Sequence, residues 1–250
     1  MKLSVCMITL NEEANLPRAL ESVRPIADEI LILDSGSTDR TAEIARSYGA
    51  QLVVEPWRGY AAQKTRAMEL AQHEWVLFLD ADEALSDELR IEILHLKEKE
   101  EEPLVYGFEI LRVSSMFGKE IRFGDWYPDW LVRLVRKDKA CFSGGSVHEK
   151  LEVEGGVARL SGVLLHWPYR DFAHQREKVK RYAQLWAEDA WSQGKRAGFA
   201  SGWAHGAWRF LRWVILRRGY RGGWLGVQLG WACACETFFK YQAFRRKGWE

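Results

Sequence analysis

The sequence has no uncharged apolar run long enough to cross a membrane as a helix. Its two most apolar stretches, residues 202–218 and 224–239, both fall short of the roughly 20 uncharged residues that a spanning helix needs. No internal repeat and no low-complexity linker interrupts the chain, and its formal net charge is only +1 over 250 residues. These absences leave a globular chain with one large domain, or one domain with an appendage.

Cysteine is scarce, with four residues in the whole chain. Cys233 and Cys235 are separated by one residue, whereas zinc and redox motifs of the Cys-x-x-Cys kind separate their cysteines by two. We interpret these two, Cys6 and Cys141 as small buried hydrophobic residues. The N-terminus runs directly into a predicted strand without a leader pattern, so we expect a protein of the reducing cytoplasm.

The first predicted strand, Leu3–Leu10, is not followed by the Gly-x-Gly-x-x-Gly pattern of dinucleotide-binding proteins, which argues against a nicotinamide dehydrogenase. Three further apolar runs predict strands at Glu29–Leu33, Leu52–Val54 and Trp75–Leu79. Helical patterns separate the strands, so right-handed crossovers would place them in one mostly parallel sheet flanked by helices. The predicted fold class is therefore α/β.

The strand Trp75–Leu79 ends abruptly in Asp80-Ala81-Asp82-Glu83. Asp80 and Asp82 are two residues apart, so an extended or turning chain can direct both carboxylates to one side. Two hard oxygen donors suit a Mg²⁺ or Mn²⁺ ion that also takes phosphate oxygens. The alternative is a solvated acidic turn that caps the next helix, predicted over Ser86–Lys99.

The strand Glu29–Leu33 also ends in an acid, within residues 34–39 (DSGSTD). Ser37 or Thr38 is placed to cap the helix predicted over Asp39–Tyr48. The carboxyl ends of parallel strands meet at one edge of a sheet, where α/β proteins bind their ligands. A second acidic strand end at the same edge favours a binding site over a solvated turn.

The order of these segments resembles that of the family 2 glycosyltransferases, which have the GT-A fold. The resemblance rests on Asn11-Glu12 after the first strand, on residues 34–39 and on Asp80-Ala81-Asp82. Residues 125–134 (DWYPDWLVRL), 147–149 (VHE) and 164–166 (LLH) are similar to the branch that contains the lipopolysaccharide-core β-glucosyltransferases. The resemblance implies a GT-A domain over residues 1–170, with a nucleotide-binding half at 1–82 and an acceptor half at 83–170.

The resemblance also assigns a donor site. Asp34 takes the role of the acid that binds the uracil and ribose of a UDP-sugar. Asp80 and Asp82 take the role of the pair that holds a divalent cation, Mg²⁺ or Mn²⁺, and the diphosphate, and His166 that of the histidine that completes the metal ligands. The remaining donor-binding candidates are polar residues at strand ends and at a predicted helix start: Asn11, Glu12, Ser37, Lys64 and Arg66.

Glu149 occupies the position of the family's catalytic acid and is the predicted general base. His148 is the competing candidate, because this chain has His-Glu where many members of the family have Glu-Asp, and it lacks their Gln-x-x-Arg-Trp motif. A single base implies inversion at the anomeric carbon. Trp126, Asp129 and Arg133 are candidate acceptor-binding residues; the alternatives are core packing for Trp126 and a strand-end salt bridge for the other two.

The C-terminal region, residues 171–250, has a helical pattern that begins with a predicted helix over Asp171–Gln193. From residue 167 onward the chain holds 16 Lys and Arg against 6 Asp and Glu, and most of its thirteen Trp lie beyond residue 120. Trp, Leu and Arg together are typical of helices that lie in a membrane interface, and they fit lipid better than nucleic acid. The alternative is a helical subdomain that packs on the core or forms a dimer.

These features predict a metal-dependent, inverting glycosyltransferase that moves a hexose from a nucleotide-diphosphate donor, a UDP-hexose, to a membrane-bound saccharide such as lipopolysaccharide inner core. We expect it to act as a peripheral protein on the inner face of the cytoplasmic membrane. Two other functions remain open: a polyprenyl-phosphate sugar synthase, and a non-catalytic membrane adaptor that binds nucleotide sugars.

Overall fold

A computed structural model describes residues 1–99, 103–116, 118–144, 149–169 and 200–247, with isolated positions between 175 and 194. The chain divides into two compact units. The first contains residues 1–113 and 129–167, and the second contains residues 114–128 and 168–250. Residues 114–128, predicted as part of the acceptor half, thus belong to the unit that holds the C-terminal region.

Strands and helices alternate through the first half of the chain, as predicted. The strands are β1 (Leu3–Thr9), β2 (Glu29–Asp34), β3 (Gln51–Val54), β4 (Trp75–Phe78), β5 (Glu83–Leu85), β6 (Gly107–Met116), β7 (Lys119–Ile121), β8 (Asp129–Arg136), β9 (Ala140–Gly144), β10 (Glu149–Val153) and β11 (Val157–His166). The helices are α1 (Leu16–Val23), α2 (Thr41–Ser47), α3 (Tyr60–Leu70), α4 (Asp87–Glu98), α5 (Ser201–Leu211) and α6 (Gly223–Lys247).

The main sheet has the strand order β3-β2-β1-β4-β8-β6-β11-β5, with β7 paired to β6. Strands β1 to β4 pair in parallel, whereas β8 joins β4 in the antiparallel sense, and so do the pairs β6-β8 and β11-β5. Strands β9 and β10 form a separate antiparallel pair. The predicted α/β class with flanking helices is confirmed, and the sheet is mixed: parallel over its first four strands and antiparallel beyond them.

The central strands of the parallel part of the sheet are covered by helices on both faces. Every residue of β4 is buried, and the six described pairs between β1 and β2 end at Thr9 and Asp34. One face packs on α1 and α4 through Leu20 and Leu89, and the other packs on α3 through Ala67. Strands covered on both sides cannot alternate polar and apolar residues, which is why they are continuous apolar runs in the sequence.

Two elements and one cysteine differ from what the sequence predicts. The predicted strand Val163–Leu165 is the end of the longer β11, in which Arg159 and Gly162 interrupt the apolar pattern. Helix α3 was predicted only as a helix start, because it buries the polar Gln63 and Lys64 and has little apolar periodicity. Cys141 is exposed rather than buried.

Strand β11 is held against α4, and it ends at His166. Ser86 caps α4: its hydroxyl accepts a hydrogen bond from the backbone N–H of Leu89 at 3.2 Å and another from Val163 at 3.3 Å. Gly162 lies directly against the helix, since a Cβ there would be 2.3 Å from the Cα of Leu89. The backbone contact requires glycine and fixes the strand that carries His166.

The second unit is built on a pair of helices, α5 and α6. Gly206 lets α5 approach Ala234 of α6 closely. Trp213 is fully buried and donates a hydrogen bond from Nε1 to the carbonyl of Gly226 at 2.9 Å. No described helix is long and apolar enough to span a membrane. The predicted helix Asp171–Gln193 lies largely outside the described residues.

Gly162→Ala should destabilise the protein by about 3 kcal/mol, because backbone atoms of Leu89 cannot move aside for the new methyl group as a flexible side chain would. Urea unfolding at equilibrium would measure the loss. Ser161→Ala, at the exposed neighbouring position, is the matched control and should unfold like the wild type. A Gly162→Ala variant as stable as this control would show that α4 and β11 do not require the close approach.

Candidate functional site

Asp34, the last residue of β2, holds the loop that follows it. Its buried carboxylate accepts hydrogen bonds from the hydroxyl of Thr9 at 2.8 Å and from the backbone N–H groups of Gly36 and Ser37 at 3.0 and 2.7 Å. The hydroxyl of Ser37 also donates to it. Four donors from the chain itself fix this carboxylate and shape the loop over residues 35–38.

Asn11 continues the same arrangement. It has a left-handed backbone, with φ of 57°, and its side-chain oxygen accepts a hydrogen bond from the N–H of Thr38 at 2.8 Å. Its own N–H donates to the hydroxyl of Ser37. The predicted donor-binding residues Asn11, Asp34 and Ser37 are therefore in contact, and the N–H of Glu12 donates to Thr41 beside them. Neither Ser37 nor Thr38 caps α2; Asp39 accepts from its first N–H instead.

Asp80 lies two residues beyond β4 and is held between two buried cations. Lys64 Nζ is 3.0 Å from Oδ1 of Asp80, and Arg133 Nη2 is 2.7 Å from Oδ2. Burial alone would raise the pKa of the Asp80 carboxyl, but Arg133 and Lys64 hold that pKa well below its usual range. Asp80 is therefore a fixed anion at the edge of the sheet.

The ion pairs continue through Glu83, which has no exposed surface. Arg133 Nη2 is 2.7 Å from Glu83 Oε1, and Arg112 Nη1 approaches the same oxygen at 3.2 Å. Arg112 also binds Asp129 at 2.8 Å. Burial lowers the pKa of Arg133, but Asp80 and Glu83 more than offset this effect and raise it above its usual value.

Lys64 joins the chain of charges to the predicted base. Its Nζ is 2.8 Å from Oε1 of Glu149, the first residue of β10. Its pKa is raised even though burial lowers it, since Asp80 and Glu149 both stabilise the ammonium. Lys64, Asp80 and Glu149 are thus brought together from three separate elements. The competing candidate His148 lies outside the described residues.

Asp82 contacts residues other than those that bind Asp80. Nε2 of His166 is 3.6 Å from Oδ2 of Asp82, and the N–H of Trp167 donates to the Asp82 carbonyl at 2.9 Å. The guanidinium of Arg18 stacks on Trp167, 3.7 Å from the ring centre. Burial lowers the pKa of Arg18, and the charge of Asp82 opposes this.

The fit of a divalent cation can be judged from these donors. Among the described residues, no group of three or more His, Cys, Asp or Glu side chains is arranged to hold a metal ion. The predicted ligands Asp82 and His166 do lie together and are partly exposed, at 20% and 13%. They offer one carboxylate and one imidazole, which fit a cation that completes its shell with phosphate oxygens. Both oxygens of Asp80, the third predicted ligand, are instead in contact with cations.

Sequence reasoning missed Arg18. Its position could have indicated a special role. Arg18 lies in the first turn of α1, where the helix dipole favours acids over cations. A cation placed against that preference is better explained by a local partner, and here the partners are Trp167 and Asp82.

The other predicted residues have partners of several kinds. Arg66 is on the surface and pairs with Glu55 at 3.0 Å. Trp126 belongs to the second unit and packs edge-on against Trp213, with ring centres 5.4 Å apart. Asp129 pairs with Arg112, and Arg133 pairs with Asp80 and Glu83. Acceptor binding by these residues stays a prediction.

The sequence is similar to those of known proteins. The family model for glycosyl transferase family 2 matches residues 4–144. The lipopolysaccharide core biosynthesis glycosyltransferase LpsC of Rhizobium meliloti is 35% identical over 206 residues, which cover 80% of this chain and 75% of LpsC. An uncharacterized glycosyltransferase of Rickettsia typhi is 31% identical over 236 residues, covering 90% of this chain and 80% of its own length.

A solved structure shares the fold. The crystal structure of S. aureus TarS 1-349 in complex with UDP has a TM-score of 0.50 and 16% sequence identity. The match covers 99% of this chain and 92% of the other. At this level of identity the similarity concerns the fold alone.

Arg133→Met should destabilise the protein by about 3 kcal/mol near pH 7, because it removes the buried cation that Asp80 shares with the fully buried Glu83. The pKa of Asp80 is lower in the folded state than in the unfolded state. The stabilisation by its ion pairs is therefore complete at neutral pH and is lost as the pH falls through the folded-state pKa. The difference between variant and wild type should therefore shrink in acid. Unfolding curves between pH 3 and 7 would measure it.

Arg159→Met is the matched control, since Arg159 pairs with Glu109 on the surface and is 64% exposed. It should cost less than about 1 kcal/mol at every pH. An equal decrease in the free energy of unfolding of the two variants would contradict the role given to Arg133.

Proposed function

The chain belongs to glycosyl transferase family 2, and from this premise we propose that it transfers a sugar, with inversion, from a UDP-sugar to a lipid-linked saccharide at a membrane surface. The observation that carries the proposal is the junction of Asp80, Lys64 and Glu149 at the carboxyl edge of the sheet. It joins the acid of the predicted diphosphate site to the predicted base. The name of LpsC, a relative covered over most of its length, supports a lipopolysaccharide-core acceptor.

The reaction needs one base and one stabilised leaving group. A hydroxyl of the acceptor attacks the anomeric carbon of the donor sugar, and its proton passes to the carboxylate of Glu149. The bond between that carbon and the diphosphate oxygen breaks, and the nucleotide diphosphate leaves with the electron pair. Attack opposite the leaving group inverts the anomeric configuration. A single carboxylate on the attacking side is sufficient for this chemistry.

The loop over residues 35–38 is the proposed nucleotide site. Asp34 and Asn11 fix its backbone, so its shape is set before a nucleotide binds. In this proposal the exposed Asn11 and the half-buried Ser37 contact the nucleoside, and Asp34 acts largely by holding the loop. Glu12 is adjacent and completes the set.

Negative charge on the departing diphosphate requires compensation. Arg18 supplies one fixed cation beside Asp82, and its stacking on Trp167 keeps it in place. Asp82 and His166 would hold a Mg²⁺ or Mn²⁺ ion, which supplies Lewis-acid stabilisation of the leaving group. Asp80, with Lys64 and Arg133 on its two oxygens, fixes the neighbouring backbone rather than serving as a primary metal ligand.

The second unit is the proposed membrane-binding part. Among the described residues, nine of the fifteen exposed large hydrophobic side chains lie between residues 203 and 239 of this unit. Trp224 and Trp231 are 74% and 64% exposed and are seven residues apart, so they lie on one face of α6. Arg209, Arg212 and Arg217 surround the buried Asp125 at 3.2–3.4 Å, which concentrates positive charge near residues 208–217. Exposed Trp beside clustered Arg fits a surface of anionic lipid.

Substitution of Asp82 or His166 by Ala should weaken Mn²⁺ binding in the presence of UDP by at least about tenfold, a loss of about 1.4 kcal/mol. Electron paramagnetic resonance of free Mn²⁺ would measure the affinity. Hydrolysis of a panel of UDP-sugars, with and without the cation, would measure turnover and should fall in parallel. Asp138→Ala, a surface change at a residue paired with Arg136, is the control. Cation-dependent turnover that survives Asp82→Ala would exclude this metal site.

The paired substitution Trp224→Ser and Trp231→Ser should reduce binding to vesicles that contain phosphatidylglycerol by about tenfold or more, because each change removes apolar surface from the interface. Binding should also weaken with added salt. Sedimentation with vesicles of anionic and of purely zwitterionic lipid would show both effects. Trp57→Ser, at an exposed position of the first unit, is the control. Unchanged vesicle binding, or a dimer that dissociates in the paired variant, would favour a protein interface.

A further inference from the structure

Lys64 is a buried cation shared by two carboxylates. Its side chain is 6% exposed, and its Nζ lies 2.8 Å from Glu149 and 3.0 Å from Asp80. Removing an ammonium group from water is costly unless it is paired. The two carboxylates compensate the buried charge of Lys64.

Helix α3 carries Lys64 and is packed against the sheet. The helix buries Ala67 and Met68 against the same cluster of apolar residues as Cys6 and Phe78, and the thiol of Cys6 lies 3.6 Å from the carbonyl of Ala67. It thereby packs on β1 and also lies against β9 and β10. From this packed helix, Nζ of Lys64 contacts the carboxylate of Glu149, the first residue of β10.

The two carboxylates depend on Lys64 to different degrees. Asp80 has a second cation, Arg133, and its backbone N–H donates to Glu83 at 3.1 Å. Glu149 has Lys64 as its one described ion-pair partner, and it starts a strand rather than lying inside one. Loss of Lys64 would thus leave Asp80 in place and release the side chain of Glu149.

We propose that Lys64 is a positioning residue, which holds the base Glu149 at a fixed distance from Asp80 and so directs it to the proton of the acceptor hydroxyl. This inference rests on the proposed function. It differs from the donor-binding role that the family resemblance implies for Lys64. With 6% of its side chain exposed and Nζ shared between two anions, Lys64 offers little surface to a nucleotide.

A double-mutant cycle tests this role. Lys64→Met, Glu149→Gln and the combined variant would be compared with the wild type in kcat and KM for transfer from the UDP-sugar, and in the Kd for UDP measured by calorimetry. Lys64→Met should lower kcat by about 100-fold, the size of effect that a misplaced catalytic group produces. Its Kd for UDP should stay within about threefold of the wild type, because Nζ of the buried Lys64 is shared between Asp80 and Glu149 and offers little surface to the nucleotide.

The combined variant distinguishes a shared role from independent ones. A residue that acts through Glu149 has nothing left to position in Glu149→Gln, so the combined variant should retain kcat within about threefold of that single variant. Lys64→Arg keeps the charge and should recover at least about tenfold of the activity that Lys64→Met loses. If Lys64→Met does not fold, the same cycle is run with Lys64→Arg, which should lower kcat only when Glu149 is present.

Lys97→Met is the control for removal of a partly buried, ion-paired lysine. Lys97 binds Asp28 and the carbonyl of Ile26 at the opposite edge of the parallel sheet, so the change should leave kcat unaltered. A tenfold weaker Kd for UDP in Lys64→Met with unchanged kcat would overturn the proposal in favour of donor binding. The proposal would also be overturned if the fold-decrease in kcat of the combined variant equalled the product of the decreases in the two single variants. A wild-type protein that turns over no UDP-sugar would instead refute the proposed function.

Discussion

The compensation of buried and half-buried carboxylates by Lys64, Arg133 and Arg112 is the constraint on which the site depends. Glu83 is fully buried, and Arg133 lies between it and Asp80 with 2.7 Å contacts to both. An isolated charge in such a place would cost several kcal/mol, so each member of the chain of ion pairs requires its neighbours. The network of alternating cations and carboxylates continues on both sides: Lys64 pairs with Glu149, and Arg112 pairs with Asp129.

This network explains how separate elements present their side chains at one edge. Strand β8 supplies Arg133, helix α3 supplies Lys64, and β10 begins with Glu149. The apolar strands bring the chain to the edge, but they do not set the direction of a carboxylate. That direction comes from the ion pairs, which place Glu149, the proposed base, next to Lys64 and Asp80, whereas Asp82 lies beside His166.

The sequence indicated some of this arrangement and not the rest. Apolar runs that end in Asp34 and Asp80 were enough to predict the strands, their parallel pairing and the edge where the acids lie, because burial on both faces leaves a local pattern. The contact between Lys64 and Glu149 joins residues 85 positions apart and has no local pattern. Likewise, the spacing of Asp80 and Asp82 gave no indication that one pairs with cations and the other with His166. The antiparallel half of the sheet was harder to predict, since β11 contains Arg159 and Gly162.

The most direct test of this account is a crystal structure of the protein with UDP and Mn²⁺, with the cation located by its anomalous scattering. The account predicts a manganese peak in contact with Asp82 and His166, while Asp80 keeps its contacts to Lys64 and Arg133 and Glu149 keeps its contact to Lys64. A peak bound directly by Asp80, with Lys64 displaced from both carboxylates, would contradict it.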